Sequence, residues 1–300
     1  MIMNEDILKE LRQELLNRSP LDGLPDSVWK RTGALNTWGT NAIEGNTLTW
    51  QDVEKLLIEQ RTISNAPVPD VLETIQHEAA FRGLVQRVSA PIRLTAVLEL
   101  HEGVFRGILP DAGQWRRVNV RIAGSKYTPP RMEKVLNEME NWIGEYTRRD
   151  TSGEPVFPLA AWMYHRFEAI HPFSNGNGRI GRLLLNLHFL RHSWPPIHIL
   201  QSDREIYRSC LEEGHSGDLS RLTEFLRVSM GKSLLDLLDQ VGTEDDELMP
   251  LKQFEPKGPY SAKYLTLRAG QGRLPAIKTR GDWQTSTRAL NLYRRFIGEK

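Results

Sequence analysis

Apolar residues recur along most of the chain at the three- and four-residue spacing of a single helix face. In residues 5–17, Ile7, Leu8, Leu11 and Leu15 form one stripe, which predicts an amphipathic helix ended by SPLDGLPDS. A second helix is expected over 27–44, stopping at Gly45-Asn46, and Thr49 is placed to cap a third over 50–60. The loop SNAPVPD separates these from helices over 70–88 and 92–107. Later helices are expected over 131–148, 157–170, 178–192, 203–213 and 218–240. One segment breaks the rhythm. In RVNVRIAGSKYT, 117–128, Val118, Val120 and Ile122 alternate and Ala-Gly-Ser supplies a turn, which predicts a short β-hairpin. The acidic, proline-bearing stretch 242–256 reads as a linker, and no internal repeat is evident. The expected fold is all-α with one small hairpin.

Composition narrows the class without identifying the chemistry. With 39% hydrophobic and 26% charged residues, the 300-residue chain suits a soluble globular protein of one large or two ordinary domains. No apolar run approaches the roughly 18 residues of a membrane span. The amphipathic start MIMNEDILKELRQELL carries acids early, unlike a signal or basic transit peptide, so a cytoplasmic location is expected. The one cysteine, Cys210, excludes an internal disulfide framework and a cysteine-based zinc site, and reads as a small buried apolar residue. The net charge of +1 hides an asymmetry, because residues 251–300 hold 11 Lys/Arg against 3 Asp/Glu. A basic end on an acidic body predicts a separate module with an anionic partner.

The chemistry concentrates in HPFSNGNGRIGR, residues 171–182, between two helical patterns. Pro172 disfavours helical geometry at His171, leaving the imidazole at the mouth of a loop. Gly176 and Gly178 permit backbone conformations that aim successive N–H groups at one point, and the loop feeds a helix N-terminus that favours anions. Arg179 and Arg182 lie three apart on that helix, so both forks can point one way and clamp phosphate oxygens. A histidine beside such a cradle is placed to take a proton from an attacking hydroxyl. Each feature alone would fit a plain turn or a solvated helix face; their density within twelve residues points to a site.

This segment resembles the Fic motif, HxFx(D/E)GNGRxxR, at every fixed position but one. The resemblance implies a helical core with a hairpin flap, and transfer of AMP from ATP to a Ser, Thr or Tyr hydroxyl of a protein, this protein itself being one candidate target. It implies His171 as base, Gly176, Asn177 and Gly178 as anion hole, and Arg179 and Arg182 as phosphate contacts, with Mg²⁺ as cofactor. The departure is Asn175, where the family has an acid that helps bind Mg²⁺. An amide oxygen ligates the ion without the charge of a carboxylate, so metal affinity is expected to fall.

Three further stretches extend the resemblance. GTNAIEGN, 39–46, resembles the inhibitory motif (S/T)xxxE(G/N), which assigns Thr40, Glu44 and Gly45 to a self-inhibitory helix whose glutamate pairs with Arg182. Some self-inhibited members also remove AMP, and such members often form homodimers. Ile122, Ala123, Gly124 and Ser125 fall in the flap that docks target backbone as an added strand, and AGQWR, 112–116, resembles a Gly-x-x-Arg element. Tyr207 falls on the helix that covers adenine, and His215 stands where an adenosine-contacting Asn is common. The implied ranges are an N-terminal helical region 1–90, a core 91–241, the linker 242–256 and a basic module 257–300. That module resembles excisionase- and MerR-like helix-turn-helix or winged-helix units, implying DNA as a partner. Two alternatives stay open: a DNA-binding regulator whose core senses nucleotide with little turnover, and a transferase using another nucleotide donor.

Overall fold

The computed structural model describes residues 3–279 and 281–297; residues 1, 2, 280 and 298–300, which fall in the expected N-terminal region and basic module, lie outside the described residues. The helices are α1 (Glu5–Arg18), α2 (Asp26–Ile43), the short α3 (Trp50–Val53), α4 (Val68–Arg82), α5 (Leu94–Phe105) and α6 (Val135–Thr151). They continue as α7 (Val156–Ile170), α8 (Asn177–Arg191), α9 (Arg204–Gly214), α10 (Ser220–Val241), α11 (Ala262–Gly270) and α12 (Thr287–Ile297). Among the described residues no helix is long and apolar enough to cross a membrane. The chain divides into two compact units that cut across the ranges expected from the sequence.

The larger unit comprises Trp29–Ser193 and His198–Thr223. Its centre is the pair α7–α8, with α6 on α7, and α5 against both α4 and α8. α8 is buried on nearly every side, including Asn177, Arg179, Arg182, Asn186 and His188. A helix covered all round must find partners for each polar group it carries. The two ring nitrogens of His188 on α8 accordingly meet Tyr146 Oη and Val156 O at 3.0 Å each. Thr49 caps α3 as expected, in a reciprocal box with Asp52. Beyond Val53 the winding widens to a π-helical turn over Glu54–Ile58. The helix expected over 70–88 stops at Arg82, with Gly83 as its cap.

The smaller unit comprises Met1–Val28, Trp194–Ile197 and Glu224–Lys300. The stripe Ile7, Leu8, Leu11 and Leu15 is fully buried, and α1 packs on α12. Three short antiparallel strands, β1 (Met249–Pro250), β2 (Ile277–Thr279) and β3 (Asp282–Thr285), lie in the order β1-β3-β2, with Met249 opposite Thr285 and Ile277 opposite Gln284. The expected linker is therefore structured, because β1 and two 3₁₀ turns fall within it. α11 and α12 are joined through the β2–β3 hairpin, not by the tight turn of a plain helix-turn-helix. Part of the basic surplus is locally neutralised: Arg288 pairs with fully buried Asp246 and with Glu14, and Arg295 with Glu10.

The hairpin expected over 117–128 is absent, and the segment is an open loop. Its backbone groups are taken by side chains. Arg116 donates to the carbonyls of Val118 and Pro130 at 2.8 and 2.5 Å, and Met132 N donates to Asn119 Oδ1 at 2.9 Å. Only the turn survives, with Ser125 N on Ile122 O at 3.2 Å and Gly124 at φ +79°, the sign a type II turn needs at its third residue.

Candidate active site

His171 caps α7 in the left-handed region, φ 51° and ψ 60°. That reversal lets Pro172 follow and turns the imidazole away from the helix. Its Nδ1 lies 3.2 Å from the Glu168 carbonyl, which calls for a proton on Nδ1 and leaves Nε2 with a free lone pair. Burial lowers the His171 pKa, against upward pulls from the Glu168 carbonyl and Glu44, so the ring is neutral at neutral pH. Buried Arg116 fixes the backbone beneath it: Nε donates to His171 O at 2.9 Å, and its own N–H to Pro172 O at 2.9 Å.

The loop after His171 is held shut by its own side chains. Asn177 accepts from Phe173 N at 2.8 Å and donates to Phe173 O at 2.9 Å, so its amide staples the loop and only its backbone N–H remains for an anion. Gly176 sits at φ +83°, and a Cβ there would collide with the Phe105 ring. His101 Nε2 meets Asn175 O at 3.1 Å, and the His101 ring stacks on Phe173. The first N–H groups of α8, from Asn177 to Arg179, have no intrahelical acceptors and carry the positive end of the helix dipole.

The two arginines diverge. Arg182, 4% exposed, donates to Thr40 Oγ1 at 2.5 Å and to Glu44 Oε1 at 2.6 Å, with Tyr207 Oη 3.4 Å away. Burial alone would raise the Glu44 carboxyl, but Arg182 and then Arg179 hold it below the usual range. Glu44 follows the last turn of α2, which Gly45 closes at φ +96°. Gly178 makes room for the contact, since a Cβ there would strike Glu44 Oε1. Arg179 instead pairs with Glu73 of α4, donates to Asn175 Oδ1 at 3.0 Å and lies 4.6 Å over Phe105. Glu73 was missed from sequence; a carboxylate sharing the buried face of α4 with Thr74 and His77 was the available signal.

Glu44, Ile122, Ala123, Gly124, Ser125, His171, Gly178, Tyr207 and His215 all line one cavity of about 190 Å³. Thr40, Gly45, Asn175, Gly176, Asn177, Arg179 and Arg182 are not among the residues that line it. The turn is moored to α9, with Ser125 Oγ and Lys126 N donating to Glu212 at 2.5 and 3.1 Å. Tyr127 stacks on His215 with centroids 3.9 Å apart and planes 4° from parallel, so His215 already has an aromatic partner. Glu168, also missed from sequence, lines the cavity with Oε1 unsatisfied, and burial raises its pKa to about 8, so it is neutral at neutral pH.

Among the described residues, those at the loop do not form a protein-made Mg²⁺ site. Asn175 Oδ1 is the loop oxygen suited to a hard cation, and it accepts from Gly176 N at 2.6 Å and from cationic Arg179. A separate cluster, Asp150, His188 and His192, brings ligand-type atoms within 4.8 Å, outside the cavity. There the His188 nitrogens meet Tyr146 Oη and Val156 O at 3.0 Å each, and His192 Nε2 meets Asp150 at 2.9 Å.

Residues 91–189 match the Fic/DOC family. The chain is 29% identical over 204 residues to a protein adenylyltransferase fic-1 of Caenorhabditis briggsae, covering 66% of this chain and 40% of that protein. It is 27% identical over 238 residues to a protein adenylyltransferase Fic of Nematostella vectensis, covering 73% and 54%. The chain thus spans about half or less of the length of these curated relatives. Among solved structures it resembles a Fic domain containing signaling protein from Bacteroides thetaiotaomicron, with TM-score 0.71 at 24% identity over 77% of this chain and 97% of that one. It also resembles a glutamate-to-glycine variant of Fic-1 from C. elegans, with TM-score 0.66 at 26% identity over 79% and 72%.

Proposed function

Taking residues 91–189 as a Fic/DOC-type domain, we propose that this protein transfers AMP from ATP to a hydroxyl group of a protein and that Glu44 holds it at rest. The observation that carries this reading is the 2.6 Å contact of Glu44 with Arg182 across Gly178, on the wall of the cavity that His171 enters. A neutral imidazole and a helix N-terminus on one cavity suit removal of a proton from a hydroxyl and stabilisation of a phosphoryl group.

In this mechanism Nε2 of His171 takes the proton of the target hydroxyl. The oxygen attacks the α-phosphorus in line, forming the new P–O ester as the bond to pyrophosphate breaks. The first N–H groups of α8 receive the charge that develops on the phosphoryl oxygens. The bond to Glu168 O keeps the ring in the right tautomer and orientation, and Arg116 holds the peptide that carries it. The turn Ile122–Ser125, with its backbone edge on the cavity rim, is the natural landing place for extended target backbone.

The test is to incubate wild type, Glu44→Gly, His171→Ala and the double variant with each labelled NTP and read label on protein. Strong labelling by Glu44→Gly with ATP, lost in the double variant, is expected. Silence from every protein would overturn the reading, and preference for another nucleotide would change the donor.

A further inference from the structure

A guanidinium and a carboxylate taken out of water together are stabilising only if their remaining polar atoms are also satisfied. Glu73 and Arg179, each 7% exposed, form such a pair. Arg179 does not line the cavity: its two terminal amino groups go to Glu73 and Asn175, and its Nε is buried without a hydrogen-bond partner. The second Glu73 oxygen accepts from Asn46 Nδ2 at 3.1 Å. Asn46 also donates to Asp70 O at 3.1 Å, and Thr47 gives two bonds to Asp70 Oδ2 at 2.9 and 2.6 Å. Two chains of contacts therefore start from one carboxylate. One runs through Arg179 and Asn175 Oδ1 to Gly176 N, the first turn of the loop. The other runs through Asn46 to the segment that follows Glu44.

We propose that Glu73 is a positioning residue of this site, anchoring the phosphate loop through Arg179 and the inhibitory segment through Asn46. It touches no reacting atom. Its oxygens are aimed apart, so the loop and the inhibitory glutamate share a common mount on α4 and keep a fixed spacing. The assignment rests on the reading that this site transfers a nucleotidyl group. It gives Arg179 a different task from Arg182: Arg182 faces Glu44, whereas Arg179 braces the loop from behind. Asn175 acquires a task as well, as the acceptor through which the brace acts.

The two branches predict opposite signs. Loosening the loop branch slows a derepressed enzyme, whereas loosening the segment branch awakens a repressed one. The experiment compares ATP labelling by Glu44→Gly with labelling by Glu44→Gly/Glu73→Gln and Glu44→Gly/Glu73→Asp, normalised to folded protein from thermal melts. The expected result is a roughly tenfold slower Glu44→Gly/Glu73→Gln, lost mainly in kcat, with partial recovery in the Asp variant. Asn46→Ala, in an otherwise wild-type chain, is expected to label several-fold faster than wild type. In parallel, amide exchange over residues 173–178 is expected to speed up in Glu73→Gln. Equal rates for Glu44→Gly with and without Glu73→Gln, no rise in Asn46→Ala, or unchanged exchange over 173–178 would each overturn the assignment. Silence of Glu44→Gly itself strikes the transferase reading instead, and the exchange measurement still decides whether Glu73 braces the loop.

Discussion

Glu44 Oε1 and Arg182 Nη2 stand 2.6 Å apart where Gly178 leaves space for no more than a hydrogen on its Cα. The pair is unequal. Arg182 is buried at 4% side-chain exposure and bonded on several sides, whereas Glu44 keeps 30% and hangs from the end of a helix. Under the proposed function, Glu44 is the partner expected to move.

Replacing Glu44 by Gly should raise ATP-dependent labelling about tenfold or more, a change of about 1.4 kcal/mol in barrier. The same variant leaves a buried guanidinium without its anion. Its nucleotide-free stability should fall by about 2–3 kcal/mol, toward the low end for a broken buried pair because Glu44 is partly exposed. Saturating ATP should return much of that loss, as read by thermal melts with and without nucleotide.

The rate should rise with pH along an acid limb set by His171. Burial places that pKa below the ordinary 6.5 and Glu44 pulls it up, so removing Glu44 moves the limb to lower pH. A pH–rate profile of Glu44→Gly with its midpoint above 6.5 would contradict a neutral, buried base.

Glu168 makes a stability prediction of opposite sense to the usual carboxylate. Its folded pKa, about 8, lies above the ordinary 4.5, so the unfolded chain loses this proton first as pH rises. The stabilising effect is fully present below 4.5 and is lost through pH 8, at about 1.4 kcal/mol per unit at most. Glu168→Gln should flatten this slope and be the more stable protein at pH 8. Urea titrations at pH 5 and 8 measure both.

Asn175→Asp should lower the Mg²⁺ concentration needed for half-maximal labelling, since the change adds a negative hard oxygen where the amide now sits. Arg179, which already bonds that oxygen, will compete with the ion, so the gain should be modest, about three- to tenfold. No shift in half-saturation would show that this position does not meet the metal.

Gly176→Ala should be the most damaging single methyl in the loop. It combines a left-handed φ with a collision against Phe105, and a loss of about 2–4 kcal/mol is expected from strain plus overpacking. Phe105→Leu in the same chain should recover the packing part and leave the backbone part, a separation that paired denaturation curves resolve.

The helices were legible because their stripes are local, and His171, the loop glycines and Arg182 were legible because they sit within twelve consecutive residues. What escaped was long-range. Glu73 lies 106 positions before Arg179, and nothing in VLETIQHEA distinguishes a buried acid from a solvated one without knowing which face α8 covers. Glu168 looks like an ordinary acid in a helix until its burial is seen. The expected hairpin failed for a related reason: alternation at Val118, Val120 and Ile122 reports strand propensity, but Arg116, Asn119 and Glu212 supply the hydrogen bonds that a partner strand would have made.

Under the proposed function, Glu44, tied to the site by the end of α2, acts as a competitor that cannot diffuse away. A tethered ligand has an effective concentration set by its leash, commonly in the millimolar range or above for short connections. A nucleotide challenging it faces a constant rival whose strength is independent of how much protein is present. Anything that lengthens the leash by fraying the last turn before Gly45 would dilute that rival, converting a small loss of helix into a large gain in occupancy of the cavity.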